Sequence, residues 1–244
     1  MTQFDVVNLG ILWDRLVSIA NEMVLSLVRT SFSSNVREAY DLSCVLFDSQ
    51  GNSLSQGSYS VPTFTGTAPP TLRHMLAVFP PETLEPGDVI VTNDPWMGTG
   101  HLNDFVLTTP CFRHGKLVAL FSCTSHLTDI GGIGTGPDGT DVHMEGIYIP
   151  MLKLADRDEF NQTLLAMVRS NTRQPIESEG DVYSLAACND IGCRRLVEMM
   201  DEFGLDEIEE LSDYVCETSR KAVLAEIAKL PSGTYRNTMT IDGY

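Results

Sequence analysis

The sequence predicts an α+β protein: antiparallel β-hairpins carrying a metal site, a long N-terminal helix and a helical C-terminal segment. Three observations lead there. Apolar residues recur at three- and four-residue steps from Asp5 to about Ser31. Short β-rich runs joined by polar, Gly-containing links occupy Ser43 to Ser122. From Asp158 onward the spacing becomes helical again, so residues 1–157 read as an α+β metal-site domain and 158–244 as a helical segment.

Each element has its own signal. In the first helix Val7, Ile11, Leu12, Leu16, Ile19, Met23 and Leu27 share a face, with Asp14, Arg15, Asn21 and Glu22 opposite. A loop with Arg37, Glu38 and Asp41 follows, and its carboxylates read as solvated. Ser43–Asp48 and Ser53–Gln56 then form a hairpin around the turn Ser49-Gln50-Gly51-Asn52. Ser58 to Thr71 is rich in Ser, Thr, Gly and Pro and reads as an ordered loop. Pro69-Pro70 would open a short helix that carries His74 and ends at Pro80-Pro81. Three runs come next: Val89–Thr92, Phe105–Phe112 and Leu117–Ser122. Beyond them Gly131 to Gly139 reads as a mobile loop, a lid beside the site. Its formal G-x-G-x-x-G match at Gly134, Gly136 and Gly139 is weak, because Pro137 interrupts it and no amphipathic helix follows. Helices are expected over Phe160–Ser170, Val182–Phe203 and Asp206–Leu230, and a strand over Thr234–Ile241. Asp242-Gly243 is a hairpin turn signal with no returning strand after it, so the chain reads as the N-terminal portion of a larger subunit.

Composition narrows the function. A formal charge of −17 over 244 residues leaves no positive face for nucleic acid or an anionic membrane. No apolar run approaches the ~18 residues of a membrane span, and no secretory signal is visible. Six cysteines without a C-x-x-C pair fit reduced thiols in a cytoplasmic protein and speak against a cysteine-ligated zinc.

The chemistry gathers at the hairpin of Phe105–Phe112 and Leu117–Ser122. With His114-Gly115 as a two-residue turn, uninterrupted pairing sets Asp104 against Ser125. One bulged residue, or a longer turn, sets it against His126 instead. His101 enters three residues before Asp104, from the flexible Gly98-Thr99-Gly100. Two imidazoles and one carboxylate at an open hairpin end suit a divalent Mn, Fe or Zn ion. A hairpin mouth also carries polar residues simply because water reaches it, and spacing alone leaves both readings open. His143 and Glu145 lie close enough in sequence to be second-rank candidates. Arg169, Arg173, Glu179 and Asp181 form a charged cluster that suits either anion binding or a structural ion-pair network.

The run NDPWMGTGHLNDFVLTTPCF…GKLVALFSCTSHLTDIGG resembles the hydantoinase B/oxoprolinase family, whose members read NDPY-x-G-G-x-H-x-x-D and then H-x-x-DIGG. RTSFSSNVREAYDLSCVLFDSQGNSLSQ, MEGIYIPMLKL and RQPIESEGDVYSLAACNDIGCRRL resemble further family blocks, in the family's order. Trp96 stands where Tyr is usual, Asn103 replaces a common Pro, and Leu127 a frequent second His. The resemblance implies the B-type subunit of an ATP-dependent enzyme, with His101, Asp104 and His126 holding the metal. Asp94 and Asp129 are the candidates to steady a ligand imidazole. With no G-x-x-x-x-G-K-[ST] here, ATP belongs to a partner, the A-type subunit, which would phosphorylate the amide or enol oxygen. The resemblance implies hydrolysis of a cyclic amide such as a hydantoin or 5-oxoproline. Its alternatives are an ATP-dependent ketone carboxylase of the acetone or acetophenone type and a non-catalytic scaffold.

Overall fold

The computed structural model describes residues 6–134, 136 and 138–240. Its centre is a seven-stranded sheet in the order β2-β1-β5-β4-β3-β6-β7. The strands are β1 (Leu42–Asp48), β2 (Ser53–Gln56), β3 (Val89–Thr92), β4 (Asp104–Arg113), β5 (Lys116–His126), β6 (Leu152–Asp156) and β7 (Glu159–Phe160). Every neighbouring pair is antiparallel. Six α-helices are described: α1 (Val6–Thr30), α2 (Ser34–Arg37), α3 (Pro62–Val78), α4 (Gln162–Asn171), α5 (Pro175–Phe203) and α6 (Glu209–Ile227). None is long and apolar enough to cross a membrane.

The two sheet faces bury different sets. On one, Leu12, Leu16, Met23 and Leu27 of α1 and Leu185, Leu196 and Met200 of α5 close over Cys44, Leu46, Leu107, Phe121 and Cys123. Residues of α4 and α6 join this core, which therefore runs across the 157/158 boundary. On the other face, Ala68, Leu72 and Met75 of α3 cover Val45, Phe47, Val106 and Leu120. Side chains two apart along a strand share a face. Asp104, His126 and the position of Asp41 thus belong to the α3 face, beyond the end that α3 covers.

The long N-terminal helix and the β1–β2 and β4–β5 hairpins stand as expected. The helix over the Ser58–Thr71 segment does not: α3 begins at Pro62, with Pro69 and Pro70 inside it. Two prolines cost two backbone donors. Burial of Phe64, Ala68, Leu72 and Met75 along one stripe of α3 offsets that loss. Thr65, Thr67 and Thr71 add hydroxyl bonds to the preceding turns. The strands β6 and β7 are additional to the runs expected from the sequence. The strand expected from Thr234 is absent over the described residues 234–240, which are exposed and lack regular structure. A strand needs a ladder partner for its amides, and none faces them there. Ile241 and the Asp242-Gly243 turn lie outside the described residues.

Candidate metal centre

The β4–β5 register decides the site. His114 (φ 51°) and Gly115 (φ 76°) both adopt the left-handed conformation of a two-residue hairpin turn, so Arg113 pairs with Lys116. Phe112 still pairs with Leu117, but Cys111 pairs with Ala119, leaving Val118 as the extra residue of a bulge. From there the ladder runs without interruption to Asp104 opposite His126. The bulged alternative is the one that forms.

His101, Asp104 and His126 consequently converge. Each offers a ligand atom, and these atoms lie within 4.8 Å of one another. Asp104 Oδ1 is 3.2 Å from His126 Nδ1, and Asp104 Oδ2 is 3.2 Å from His101 Nε2. The imidazole centroids stand 5.0 Å apart. Asp104 is 1% exposed, whereas the side chain of His101 keeps 42% of its surface. The group is therefore anchored at its base and open at its mouth. Asp104 Oδ2 is buried with no hydrogen bond, since its approach to His101 lacks hydrogen-bond geometry. An orphaned buried carboxylate oxygen is costly. A buried carboxylate facing two imidazoles is the donor arrangement a divalent cation satisfies, and the residues fit that group.

Asp41 completes the surroundings. Leu42 pairs with Ser125, and the N–H of His126 donates to the carbonyl of Asp41. The row Asp41, His126, Asp104 therefore crosses three adjacent strands. Burial pushes the Asp41 carboxyl up, the charge of Asp104 adds to that, and His126 and His101 pull it back. Sequence reading left Asp41 in solvent because the β1–β5 pairing that brings it here joins segments some 80 positions apart. No local signal records such a pairing.

Asp94 and Asp129 are engaged by other partners. Asp94 accepts from the Tyr148 hydroxyl at 2.6 Å and from the N–H groups of Trp96 and Met97. Asp129 accepts from the N–H groups of Gly131, Arg173 and Gln174 and pairs with the Arg173 guanidinium. Neither carboxylate bonds a site imidazole, so the steadying contact expected of them is not formed. Backbone donors and a guanidinium, both closer in the fold, claim these carboxylates first. Burial alone would push the Asp129 carboxyl up, but its N–H and guanidinium donors hold it below the usual carboxylate range. His143 is exposed on a short 3-10 turn, Val142–Met144. Glu145 is half-buried and accepts from the N–H of Leu102, beside His101.

The remaining charged cluster is structural. Arg169 pairs with Glu179, and Asp181 Oδ1 accepts from the N–H groups of Phe32 and Ser33. Arg173 also donates to the carbonyls of Gly131 and Gly132. The first turn of the expected lid is thus fastened. A Cβ on Gly132 (φ 60°) would stand 2.3 Å from Met144 O. Beyond it Gly136 and residues 138–141 are exposed, while Thr135 and Pro137 lie outside the described residues.

The family model described as hydantoinase B/oxoprolinase matches residues 5–244. The chain is 30% identical over 245 residues to caprolactamase subunit beta of Pseudomonas jessenii, covering 99% of this chain and 42% of that protein. It is 31% identical over 261 residues to 5-oxoprolinase 1 of Arabidopsis thaliana, covering 98% of this chain and 20% of that protein. The crystal structure of the ATP-dependent caprolactamase from Pseudomonas jessenii superposes with a TM-score of 0.85 at 27% identity, over 95% of this chain and 40% of that one. The chain spans under half the length of these relatives.

Proposed function

This chain belongs to the hydantoinase B/oxoprolinase family, and on that premise we propose that it is the metal-holding portion of a B-type subunit of an ATP-dependent cyclic amide hydrolase. The observation that carries the reading is the buried Asp104 carboxylate, with Oδ1 against His126 and an unpartnered Oδ2 against His101. His101, Asp104 and His126 are the residues that would hold the ion. Bound there, a divalent Mn, Zn or Fe would supply Lewis-acid polarisation of a carbonyl or lower the pKa of a water.

The rest is the work of this chain's own side chains. Asp104 Oδ1 stands in a hydrogen bond with His126 Nδ1 and thereby orients that ring, while Oδ2 faces His101 without one. Asp41 brings a second negative charge to the same face. The loop that delivers His101 exposes Trp96 and Met97, 69% and 40% accessible, which would receive the methylenes of a small lactam or hydantoin ring. ATP and the phosphorylation of the amide oxygen fall to an A-type partner, in keeping with relatives named as the beta subunit of a caprolactamase and as an ATP-dependent enzyme. Six free thiols fit the reducing interior of a cell.

Metal analysis of protein purified without added metal tests the site. We expect near-stoichiometric Mn, Zn or Fe in the parent and its loss in Asp104→Asn. Metal-free protein in both, with circular dichroism unchanged, would leave a scaffold. Product analysis with ATP and the A-type partner tests the reaction: ring opening independent of bicarbonate is expected, and a bicarbonate-dependent carboxylated product would assign a ketone carboxylase instead.

A further inference from the structure

The segment between the first two site residues is held by a clamp that the triad itself does not explain. Leu102, fully buried, follows His101 directly. Its N–H donates to Glu145 Oε2 at 3.0 Å, and its carbonyl accepts from Asn93 Nδ2 at 2.7 Å. Asn93 is itself 1% exposed and fully engaged: Nδ2 also donates to the Ile147 carbonyl at 2.9 Å, and Oδ1 accepts from the Ile149 N–H at 2.7 Å. The segment it grips is tied in turn to the far side of the site, since the Ile147 N–H donates to the Ile130 carbonyl. Gly146 (φ 143°) approaches Ile130 so closely that a Cβ would meet its carbonyl oxygen at 2.3 Å. Asn103 closes the circuit, exchanging two bonds with Leu127, the neighbour of His126.

Among the three site residues His101 needs this most. Asp104 and His126 are placed by the β4–β5 ladder, but His101 lies before β4, in a loop with Gly98 and Gly100, and is the most exposed of the three. The sheet reaches it through Asp104, whose N–H donates to the His101 carbonyl at 3.4 Å and whose Oδ2 stands 3.2 Å from Nε2 without a hydrogen bond. We propose that Glu145 and Asn93 are positioning residues that set the His101 imidazole through the Leu102 peptide, an inference that rests on reading His101, Asp104 and His126 as a metal site. Glu145 acts here through its oxygen as a hydrogen-bond acceptor, not through its charge and not as a ligand.

Two conservative substitutions separate those roles. Glu145→Gln removes the charge and keeps an acceptor oxygen at the same reach. Glu145→Asp keeps the charge and withdraws the acceptor by one methylene. The full chain is titrated with Mn2+ alone, followed by electron paramagnetic resonance of the free ion, beside Asp104→Asn and with thermal melts of the metal-free proteins. Amide exchange at Leu102, also measured metal-free, reports the clamp independently. The expected result is a Kd within about twofold of the parent for Glu145→Gln and about tenfold weaker for Glu145→Asp. Leu102 exchange should be accelerated only in Glu145→Asp. The reverse order, equal losses in both, or unchanged affinity despite faster Leu102 exchange each overturn the proposal while leaving the site in place. A parent that binds Mn2+ no better than Asp104→Asn overturns the site, and the positioning role with it.

Discussion

Asp104 differs from Asp129 in what surrounds it, not in its type. It is almost fully buried and one of its oxygens lacks a donor. Asp129, in the same region, is saturated by backbone N–H groups and Arg173. That contrast has a pH consequence. The Asp129 carboxyl is held below its unfolded value, so its contribution is present above that unfolded value, about 4, and fades as pH falls through the lower folded one. Urea midpoints of the parent and Asp129→Asn should therefore differ at pH 7 and converge as the pH is lowered through the depressed folded value. A gap that stays constant over that range would mean that the carboxylate charge contributes nothing. The ligand-type residues were legible in the sequence as His101, Asp104 and His126. The engagement of Asp129 with Arg173 was not, because it joins positions on either side of β6, β7 and α4.

At the scale of elements, the helices and hairpins with strong local periodicity were legible and the irregular ones were not. The bulge at Val118 is the telling case. His114-Gly115 announces the turn, but no residue type announces the extra one, and that single insertion moves Asp104 from Ser125 to His126. Helix α3 teaches the converse, since its two internal prolines argue locally for a loop and burial on the sheet overrules them. The packing of α5 on β5 is equally non-local. A Cβ on Gly192 would stand 2.5 Å from a ring carbon of Phe121 and 2.7 Å from Met23 Sδ. Gly192→Val should therefore destabilise the fold by about 1–3 kcal/mol through overpacking, read as a lowered urea midpoint with an unchanged slope. An unchanged midpoint would show that α5 can lift from the sheet without cost.

Across the whole molecule the helix-covered face carries the main core, and the α3 face carries the site. Cys44 and Cys123, directly paired across β1 and β5, meet Cys188 of α5 inside that core. A hydrogen bond from the Cys44 thiol to Cys188, together with burial, pushes the Cys44 thiol up, and burial does the same for Cys123 and Cys188. These three thiols should resist a disulfide reagent at pH 8 until denaturant unfolds the chain, whereas Cys216, half-buried, should react in the native state. Native-state modification of Cys188 would show that α5 opens without global unfolding. The amino-acid order alone determined the α+β class, the long first helix, the hairpins, the three ligand-type side chains and the family, because each is written in nearest-neighbour spacing or in blocks a few residues long. Only the tertiary structure decided which hairpin register forms, that Asp41 joins the site, that Arg173 serves Asp129 and the glycine loop, and that Glu145 grips Leu102. Those outcomes depend on which distant backbone groups find each other and which carboxylates lose their water, and chain spacing records neither.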